Sequence, residues 1–284
     1  MIQFNECSFR YKGGRRNALD GITLNIGEGE FVGVTGASGA GKSALTYAVS
    51  GLIPHHFTGD FYGSVTVNGL DTVEVKPEEI ARFVGEVFQD IDSQMVSSIV
   101  EDEILFGMEN FGLPHDEIGR RLEDTLSLLG IEDLRRRQIS SLSGGQKQKV
   151  AIAAILALQP DVILLDEPTG ELDPESSVMI FELLKALNRD YGKTVVVVEQ
   201  KIMLLCSYVN RIILMEKGRV AFDGPTGAVA GKAGLFREQG INIPRVTELG
   251  ENLRAMGLYN GQLPLTLEGG EKMAREVMAG AGIS

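Results

Sequence analysis

The stretch Gly36-Ala37-Ser38-Gly39-Ala40-Gly41-Lys42-Ser43 decides the fold of this chain. It fits the pattern G-x-x-x-x-G-K-[ST] of a nucleoside-triphosphate site. An apolar strand should run into this loop, and a helix should open at it and continue to about Gly51. Because glycine has no Cβ atom, backbone N–H groups can approach the phosphates, and the helix N-terminus adds a favourable dipole. We therefore predict phosphate binding by every residue of the stretch except Ala37.

A second apolar run ends in two carboxylates. Val162-Ile163-Leu164-Leu165 is typical of a buried strand, and Asp166 and Glu167 follow it. Lys42 should neutralise the β and γ phosphates, while Ser43 and Asp166 should hold Mg²⁺, Asp166 directly or through water. Adjacent carboxylates at a strand end could be solvated turn residues, but beside a phosphate loop they are candidates for catalysis.

A third motif, Leu142-Ser143-Gly144-Gly145-Gln146, narrows the class of enzyme. With the phosphate loop and the acidic strand end, it resembles the signature of ATP-binding-cassette (ABC) ATPases, and the resemblance extends over nearly the whole chain. It implies a head-to-tail dimer, in which Ser143, Gly144, Gly145 and Gln146 contact the ATP of the neighbouring chain. There the helix that they open would offer a hydroxyl, amides and its dipole to the γ-phosphate. Glu171-Leu172-Asp173-Pro174 resembles the loop that crosses this dimer interface.

The resemblance also implies roles for three single residues. Glu167 stands where the family polarises the attacking water, so it is our candidate general base. Gln89, in Phe88-Gln89-Asp90, matches a glutamine that contacts the metal and the water and lies where the transmembrane partner docks. Tyr11 matches an aromatic residue that stacks on adenine, although an early tyrosine could also be simple strand packing.

One position departs from the family pattern. The family usually has histidine after the strand at Thr194–Val198, where it contacts the γ-phosphate, and this chain has Gln200. An amide can donate a hydrogen bond but cannot be protonated. Our hypothesis is that a site with Gln200 hydrolyses ATP more slowly than a site with histidine. The alternative is that glutamine substitutes well enough.

The order of elements and the resemblance together predict an α/β fold. It consists of a P-loop NTPase (RecA-like) core, an antiparallel β subdomain and an inserted α-helical subdomain at about 93–160. The strand at Thr194–Val198 is β-branched, which suits burial on both faces, and the helix after the acidic strand should end near Lys185. We place the ATPase domain at 1–224 and a Gly-rich C-terminal appendage at 225–284.

Composition and charge make several classes of function less favoured. Apolar residues make up 43% of the 284 residues, which supports a packed core, and the net charge of −12 disfavours non-specific nucleic-acid binding. No apolar run approaches the roughly 18 residues that span a bilayer, and the N-terminus lacks the pattern of a secretory signal. We expect a cytoplasmic protein that reaches a membrane through partners, with Cys7 and Cys206 reduced and buried.

Within the ABC family, residues 87–94, 100–107, 169–174 and 263–266 resemble the energy-coupling-factor (ECF) class, which imports vitamins or transition metals. This likeness implies three partners: a second ABC ATPase (identical or paralogous), a transmembrane scaffold and a small membrane protein that captures the substrate. The chain would lie at the cytoplasmic face of the cell membrane. Asp90 and Asp92 could face basic residues of the scaffold, or be solvated loop residues. The amphipathic appendage could hold two ATPases together, or pack on its own domain.

The competing function is a soluble ABC ATPase without a transporter, acting in DNA repair or translation. Such proteins carry long coiled coils or two fused cassettes, and this sequence has neither heptad runs nor a second phosphate loop. An export ATPase is disfavoured by the ECF-like segments, and a non-catalytic regulator by Glu167. The cargo is not encoded here, because in this architecture the capture protein selects it.

Overall fold

The computed structural model describes residues 1–280 and builds this part of the chain around two β-sheets. The strands are β1 (Ile2–Tyr11), β2 (Leu19–Ile26), β3 (Phe31–Gly36), β4 (Gly59–Val67), β5 (Leu70–Asp71), β6 (Val84–Val87), β7 (Val162–Asp166), β8 (Thr194–Val198), β9 (Arg211–Glu216) and β10 (Arg219–Pro225). The helices are α1 (Lys42–Val49), α2 (Leu52–His55), α3 (Pro77–Ile80), α4 (Ile91–Gln94), α5 (Val100–Asn110), α6 (His115–Leu129), α7 (Gly144–Leu156), α8 (Pro174–Tyr191), α9 (Ile202–Tyr208), α10 (Ala233–Glu238), α11 (Arg245–Ala255) and α12 (Leu267–Gly280).

The larger sheet has six strands in the order β10-β9-β3-β8-β7-β6. All neighbouring strands are parallel except β9 and β10, which form an antiparallel hairpin. β8 lies between β3 and β7 and is buried along its whole length, as its β-branched sequence predicts. Because parallel strands point the same way, the loops after β3, β6, β7 and β8 meet at one edge of the sheet.

Alternating side chains on the central strands build a core on each face of this sheet. Val195 and Val197 of β8 pack beneath helices α5 to α9, whereas Val196 and Val198 pack on the side of α1 and the smaller sheet. The smaller sheet is antiparallel, in the order β2-β1-β4-β5, and β2 buries alternate residues as predicted. β3, which leads into the phosphate loop, is therefore held between two packed layers.

The predicted helical pattern folds into α4 to α7 between β6 and β7. The end predicted for α8 at Lys185 is wrong, because the helix continues to Tyr191. Leu187 extends its buried face, and Gly192, with a φ of 66°, ends it in the left-handed region. Gly192 was visible in the sequence as a helix stop signal.

After β10 the chain first packs back on the central sheet and then forms a helical pair. Phe236, Ile241 and Ile243 are buried in the core beneath α5 to α9. α11 packs against α12, and the Thr247 hydroxyl donates a hydrogen bond to the Pro264 carbonyl between them. The boundary between an ATPase domain and an appendage at 224/225 stays a prediction.

The two cysteines and the apolar character of the helices complete the description of the fold. Cys7 and Cys206 are buried free thiols, as predicted, and burial raises the pKa of each to about 12. Neither is therefore a reactive thiolate at neutral pH. Within residues 1–280, no helix combines the length and the apolar character needed to cross a membrane.

Candidate active site

The shared edge of the larger sheet collects residues that are far apart in the sequence. The phosphate loop follows β3, Asp166 ends β7, and Gln89 and Gln200 each lie two residues beyond a strand, β6 and β8 respectively. Because these four strands lie side by side in the sheet, in the order β3-β8-β7-β6, their loops surround a common space. The sheet topology thus brings together the residues that the motifs selected.

The phosphate loop has a backbone that glycine alone accommodates. Gly41 has a φ of 105°, and a Cβ atom there would collide with the carbonyl oxygen of Ala18. The Ala40 carbonyl accepts a hydrogen bond from the Gly218 N–H at 2.8 Å, which fixes the loop to the β9–β10 turn. Residues 37–39 lie exposed at the tip of the loop. The loop is held from behind and open towards a ligand.

Lys42 lies inside the curve of this loop. Its Nζ donates hydrogen bonds to the carbonyl oxygens of Gly36 at 3.0 Å and Ala37 at 3.2 Å. The same atom lies 3.8 Å from Glu167 Oε1, and the Lys42 side chain is only 6% exposed. A buried ammonium beside exposed loop amides suits a polyanion such as a triphosphate.

Asp166 fits a cation site. It is buried, and its Oδ1 has no hydrogen-bond partner. Burial raises the pKa of Asp166, and the nearby Ser43 hydroxyl lowers it in part. Mg²⁺ commonly takes one or two protein oxygens and completes its octahedron with phosphates and water, so Asp166 and Ser43 would suffice. Residues 1–280 contain no group of three His, Cys, Asp or Glu side chains able to hold a metal ion.

Two glutamines hold Glu167. Gln200 Nε2 donates to Glu167 Oε1 at 2.6 Å, and Gln89 Nε2 donates to Oε2 at 3.1 Å. The backbone of Glu167 has a φ of 50°, and its N–H donates to the Val198 carbonyl at 2.9 Å. Hydrogen bonds to a charged group are the stronger kind, so the two amides hold the carboxylate in one orientation. The sequence selected all three residues but did not predict that they meet.

Glu86, on β6, is a further carboxylate near Asp166 that no sequence motif selected. It is buried, and neither of its side-chain oxygens has a hydrogen-bond partner. The Thr46 and Ser50 hydroxyls lie near it but donate to backbone carbonyls of their own helix. Burial raises the pKa of Glu86 to about 7. A single acidic residue within the apolar strand Val84–Val87 was the signal in the sequence.

The signature motif opens α7, as predicted. Ser143 is the N-cap residue: its hydroxyl accepts from the Gln146 N–H at 3.3 Å, and its own N–H donates to Gln146 Oε1 at 3.0 Å. This capping box fixes the first turn, which begins with Gly144 and Gly145. A Cβ atom on Gly144 would lie 3.2 Å from the Leu172 side chain, so the start of α7 and the loop before α8 are closely packed.

Tyr11 lies at the end of β1, partly exposed beside other aromatic rings. Its ring meets that of Phe9 edge-on at 4.9 Å and that of Phe57 at 6.1 Å. Burial raises the pKa of its hydroxyl. Aromatic packing accounts for part of this ring, and adenine stacking stays a prediction.

A cleft of about 920 Å³ lies between Gln89, Glu167 and the start of α7. At its wall, Asp92 is paired with Lys147 of α7 at 2.6 Å. Asp90 caps α4 by accepting a hydrogen bond from the Ser93 N–H at 3.2 Å. Both acidic residues remain exposed but have partners within this chain.

Comparisons with known proteins agree with this geometry. The ABC transporter family model matches residues 19–170. An ABC transporter ATP-binding protein of Pyrococcus horikoshii is 38% identical over 258 residues, which are 91% of each chain. A relative of the same name from Methanosarcina acetivorans is 37% identical over 249 residues, which are 88% of this chain but only 39% of the longer relative.

Solved structures share the fold. CbiO1 from Clostridium perfringens, part of the ABC transporter complex cbiONQ, is 32% identical with a TM-score of 0.75, and the match covers 88% of this chain and 98% of CbiO1. The ATP-binding cassette MJ0796, a dimer in a post-hydrolysis state with ADP and Pi, is 31% identical with a TM-score of 0.69. That match covers 80% of this chain and 99% of MJ0796. The predicted P-loop core with its β and helical subdomains is thereby confirmed.

Proposed function

The chain belongs to the ABC transporter family and is an ABC-type ATPase, and on this premise we propose that it drives a membrane importer of the ECF type. The catalytic part of the proposal rests on the two amides that hold Glu167 beside Lys42. The importer part is supported by the similarity to CbiO1 and by the ECF-like segments. The proposed cargo class is a vitamin or a transition-metal ion.

In the proposed complex, the triphosphate of ATP lies over residues 36–43. Backbone N–H groups of the exposed tip and the N-terminus of α1 receive the phosphate oxygens. Lys42 turns its Nζ from the Gly36 and Ala37 carbonyls to the β and γ phosphates, a movement within the reach of one side chain. Tyr11 stacks on the adenine.

Ser43 and Asp166 hold Mg²⁺ in this proposal, with Gln89 as a further contact. The unpartnered, buried Oδ1 of Asp166 supports the assignment. When bound, the ion neutralises phosphate charge that develops during transfer.

Glu167 acts as the general base. A base must be ionised, oriented and close to the proton that it takes. Gln89 and Gln200 each hold one oxygen, so the carboxylate is oriented before the nucleotide arrives. Glu167 then polarises the water that attacks the γ-phosphate, and catalysis consists mostly of positioning and charge neutralisation.

A second ATPase chain, identical or paralogous, completes each site. The capping box fixes Ser143 and Gly144 at the start of α7, where their hydroxyl and amides would meet the γ-phosphate held by the partner. Bound ATP then favours the closed dimer, and hydrolysis lets the dimer open again. This shift between closed and open populations can drive the movement of a transporter. Gln146 supports this arrangement through the capping box.

The base assignment is tested by Glu167→Gln. This variant keeps the shape of the side chain but removes the proton acceptor, so we expect turnover to be lost and ATP to be trapped in a stable dimer. The measurements are steady-state phosphate release and the fraction of dimer that retains labelled ATP in size-exclusion chromatography. Glu28→Gln, in the exposed turn before β3 and at the other end of that strand from the phosphate loop, is the matched control. Undiminished turnover by Glu167→Gln would refute the assignment.

The proposed partners place the chain at the cytoplasmic face of the membrane, bound to a transmembrane scaffold and a small substrate-capture protein, without nucleic acid. The exposed Asp90 and Asp92 lie near the cleft between the core and α7 and are proposed contacts for basic scaffold residues. Because Asp92 is already paired with Lys147, a scaffold base would have to compete with that lysine.

For the appendage we propose a role in holding two ATPase chains together. Its support is a set of exposed apolar side chains, Leu249, Met256, Leu258, Leu267 and Met278. The test is truncation after Pro244, because Phe236, Ile241 and Ile243 must remain in the core. A lower dimer fraction with an unchanged melting temperature is the expected result, and unchanged dimer assembly would contradict the role.

A further inference from the structure

Lys201 lies next to Gln200 and outside all the motifs of the sequence. Its Nζ donates hydrogen bonds to the Thr169 carbonyl at 2.6 Å, the Ser177 hydroxyl at 3.1 Å and the Leu172 carbonyl at 3.4 Å. A lysine ammonium has three N–H donors, so these acceptors match its full capacity. The bonds connect the segment of Gln200 to the loop that runs from Glu167 to α8.

Glu199 strengthens this connection from the other side. Its carboxylate is buried, and Oε1 accepts from the backbone N–H groups of Gln200 at 2.8 Å and Lys201 at 3.0 Å. Oε2 accepts from the Thr169 hydroxyl. Thr169 is therefore held at its hydroxyl and at its carbonyl by two side chains of one segment, which fixes the two loops relative to each other.

The two ends of this connection reach Glu167 and the start of α7. On one side, Gln200 holds Glu167 Oε1 at 2.6 Å. On the other side, Leu172 packs so closely on the start of α7 that a Cβ atom on Gly144 would lie 3.2 Å from it. A displacement of α7 would press on the loop that Lys201 holds, and this loop begins at Glu167.

We propose that Lys201 is a positioning residue for ATP hydrolysis, which couples the signature end of α7 to the Gln200–Glu167 pair. The proposal rests on the role of Glu167 given above. In a head-to-tail dimer, α7 of one chain meets the ATP of the other, so Lys201 links the two nucleotide sites within one chain. Occupancy of one site then favours the hydrolytic geometry of the other, which is a coupling free energy between sites.

The test compares Lys201→Met, Lys201→Arg and the control Lys232→Met in the full chain assembled with its membrane complex. Methionine keeps most of the length of the side chain and removes its donors, whereas arginine keeps the charge and the donors. Lys232 is exposed and lies far along the chain, after β10. The readouts are kcat, KM for ATP, the Hill coefficient for ATP and the melting temperature.

For Lys201→Met we expect kcat to fall about tenfold or more, since small errors in the position of a catalytic group are costly. We expect the Hill coefficient to fall towards one while KM stays within about twofold, because the phosphate loop itself is untouched. Lys201→Arg should recover much of kcat and cooperativity, and Lys232→Met should match the wild type. If Lys201→Met unfolds, Ser177→Ala removes one acceptor only and should show a smaller loss of cooperativity.

Unchanged kcat and an unchanged Hill coefficient in a folded Lys201→Met would overturn the proposal. The proposal would also be overturned, in favour of a purely structural role, if Lys201→Met and Lys201→Arg both lost activity in proportion to a lower melting temperature. Glu167→Gln in the same assay separates the two claims. If that variant retains turnover, the base assignment fails; if it is inactive while Lys201→Met is normal, the Lys201 proposal alone fails.

Discussion

Replacing Gln200 by alanine or histidine tests how the base is held. Gln200 donates to Glu167 Oε1 at 2.6 Å, the shorter of the two amide contacts on this carboxylate. Alanine removes the donor and leaves Gln89 on the other oxygen. Histidine restores a donor and, unlike an amide, can carry a proton.

The magnitude follows from the kind of bond that is lost. A hydrogen bond to a charged group contributes roughly 1.5–3 kcal/mol, and about 1.4 kcal/mol corresponds to a tenfold change in rate. In Gln200→Ala, Glu167 keeps its hydrogen bond from Gln89, and Lys42 Nζ remains 3.8 Å from Glu167 Oε1. We therefore expect a loss at the lower end of this energy range, with kcat about tenfold lower. For Gln200→His we expect faster hydrolysis than the wild type, and a pH dependence near the pKa of imidazole.

The assay is steady-state ATP hydrolysis by the assembled complex at several pH values, with both variants checked for folding by thermal melting. Unchanged kcat in Gln200→Ala would refute the account of how Glu167 is oriented. An unchanged rate in Gln200→His would refute the hypothesis that glutamine slows hydrolysis at this site. It would support the alternative that glutamine substitutes well enough for histidine.

Three further predictions concern stability and the metal. Folding raises the pKa of Glu86 from 4.5 to about 7. At pH 4.5 and below the side chain is protonated in both the folded and the unfolded chain, so the free energy of unfolding falls only as the pH rises from 4.5 to 7. At pH 8 this loss is of the order of 3 kcal/mol. Glu86→Gln should therefore raise the melting temperature at pH 8 and flatten its pH dependence, and an identical pH dependence in both proteins would contradict this. Phe236→Ala, at a fully buried position, should destabilise the whole domain by about 3–5 kcal/mol in denaturant unfolding, whereas a loss under 1 kcal/mol would show that the segment after β10 unfolds separately. Asp166→Asn should raise the Mg²⁺ concentration for half-maximal ATPase activity at least about tenfold, and an unchanged Mg²⁺ requirement would remove Asp166 from the metal site.

The sequence was sufficient to predict the fold and to select residues that the structure brings together at one edge of the larger sheet, because each motif carries its own local physics. The glycines of the phosphate loop, the apolar run that ends at Asp166 and the capping box of Ser143 are all local patterns. The family resemblance added Gln89 and Gln200, which have no chemical signal on their own. The predicted end of α8 was wrong because the helix continues to Tyr191, just before Gly192, whose left-handed backbone stops it.

The remaining features depend on contacts between distant segments. Glu86 stands alone in an apolar strand, and nothing local shows that its oxygens find no partner. The three acceptors of Lys201 lie between 24 and 32 positions away along the chain. Such networks follow from the order of strands in the sheet, so a motif search along the sequence does not reveal them.

The central claim is that this ATPase drives an importer of the ECF type, and the direct test is purification of the intact chain from detergent-solubilised native membranes followed by mass spectrometry. Glu167→Gln, purified with ATP, gives a stabilised form for the same measurement. We expect a multi-span scaffold and a small membrane protein in constant ratio to the ATPase, with or without a second ATPase chain. Recovery of soluble partners alone would contradict the claim and favour a role in repair or translation.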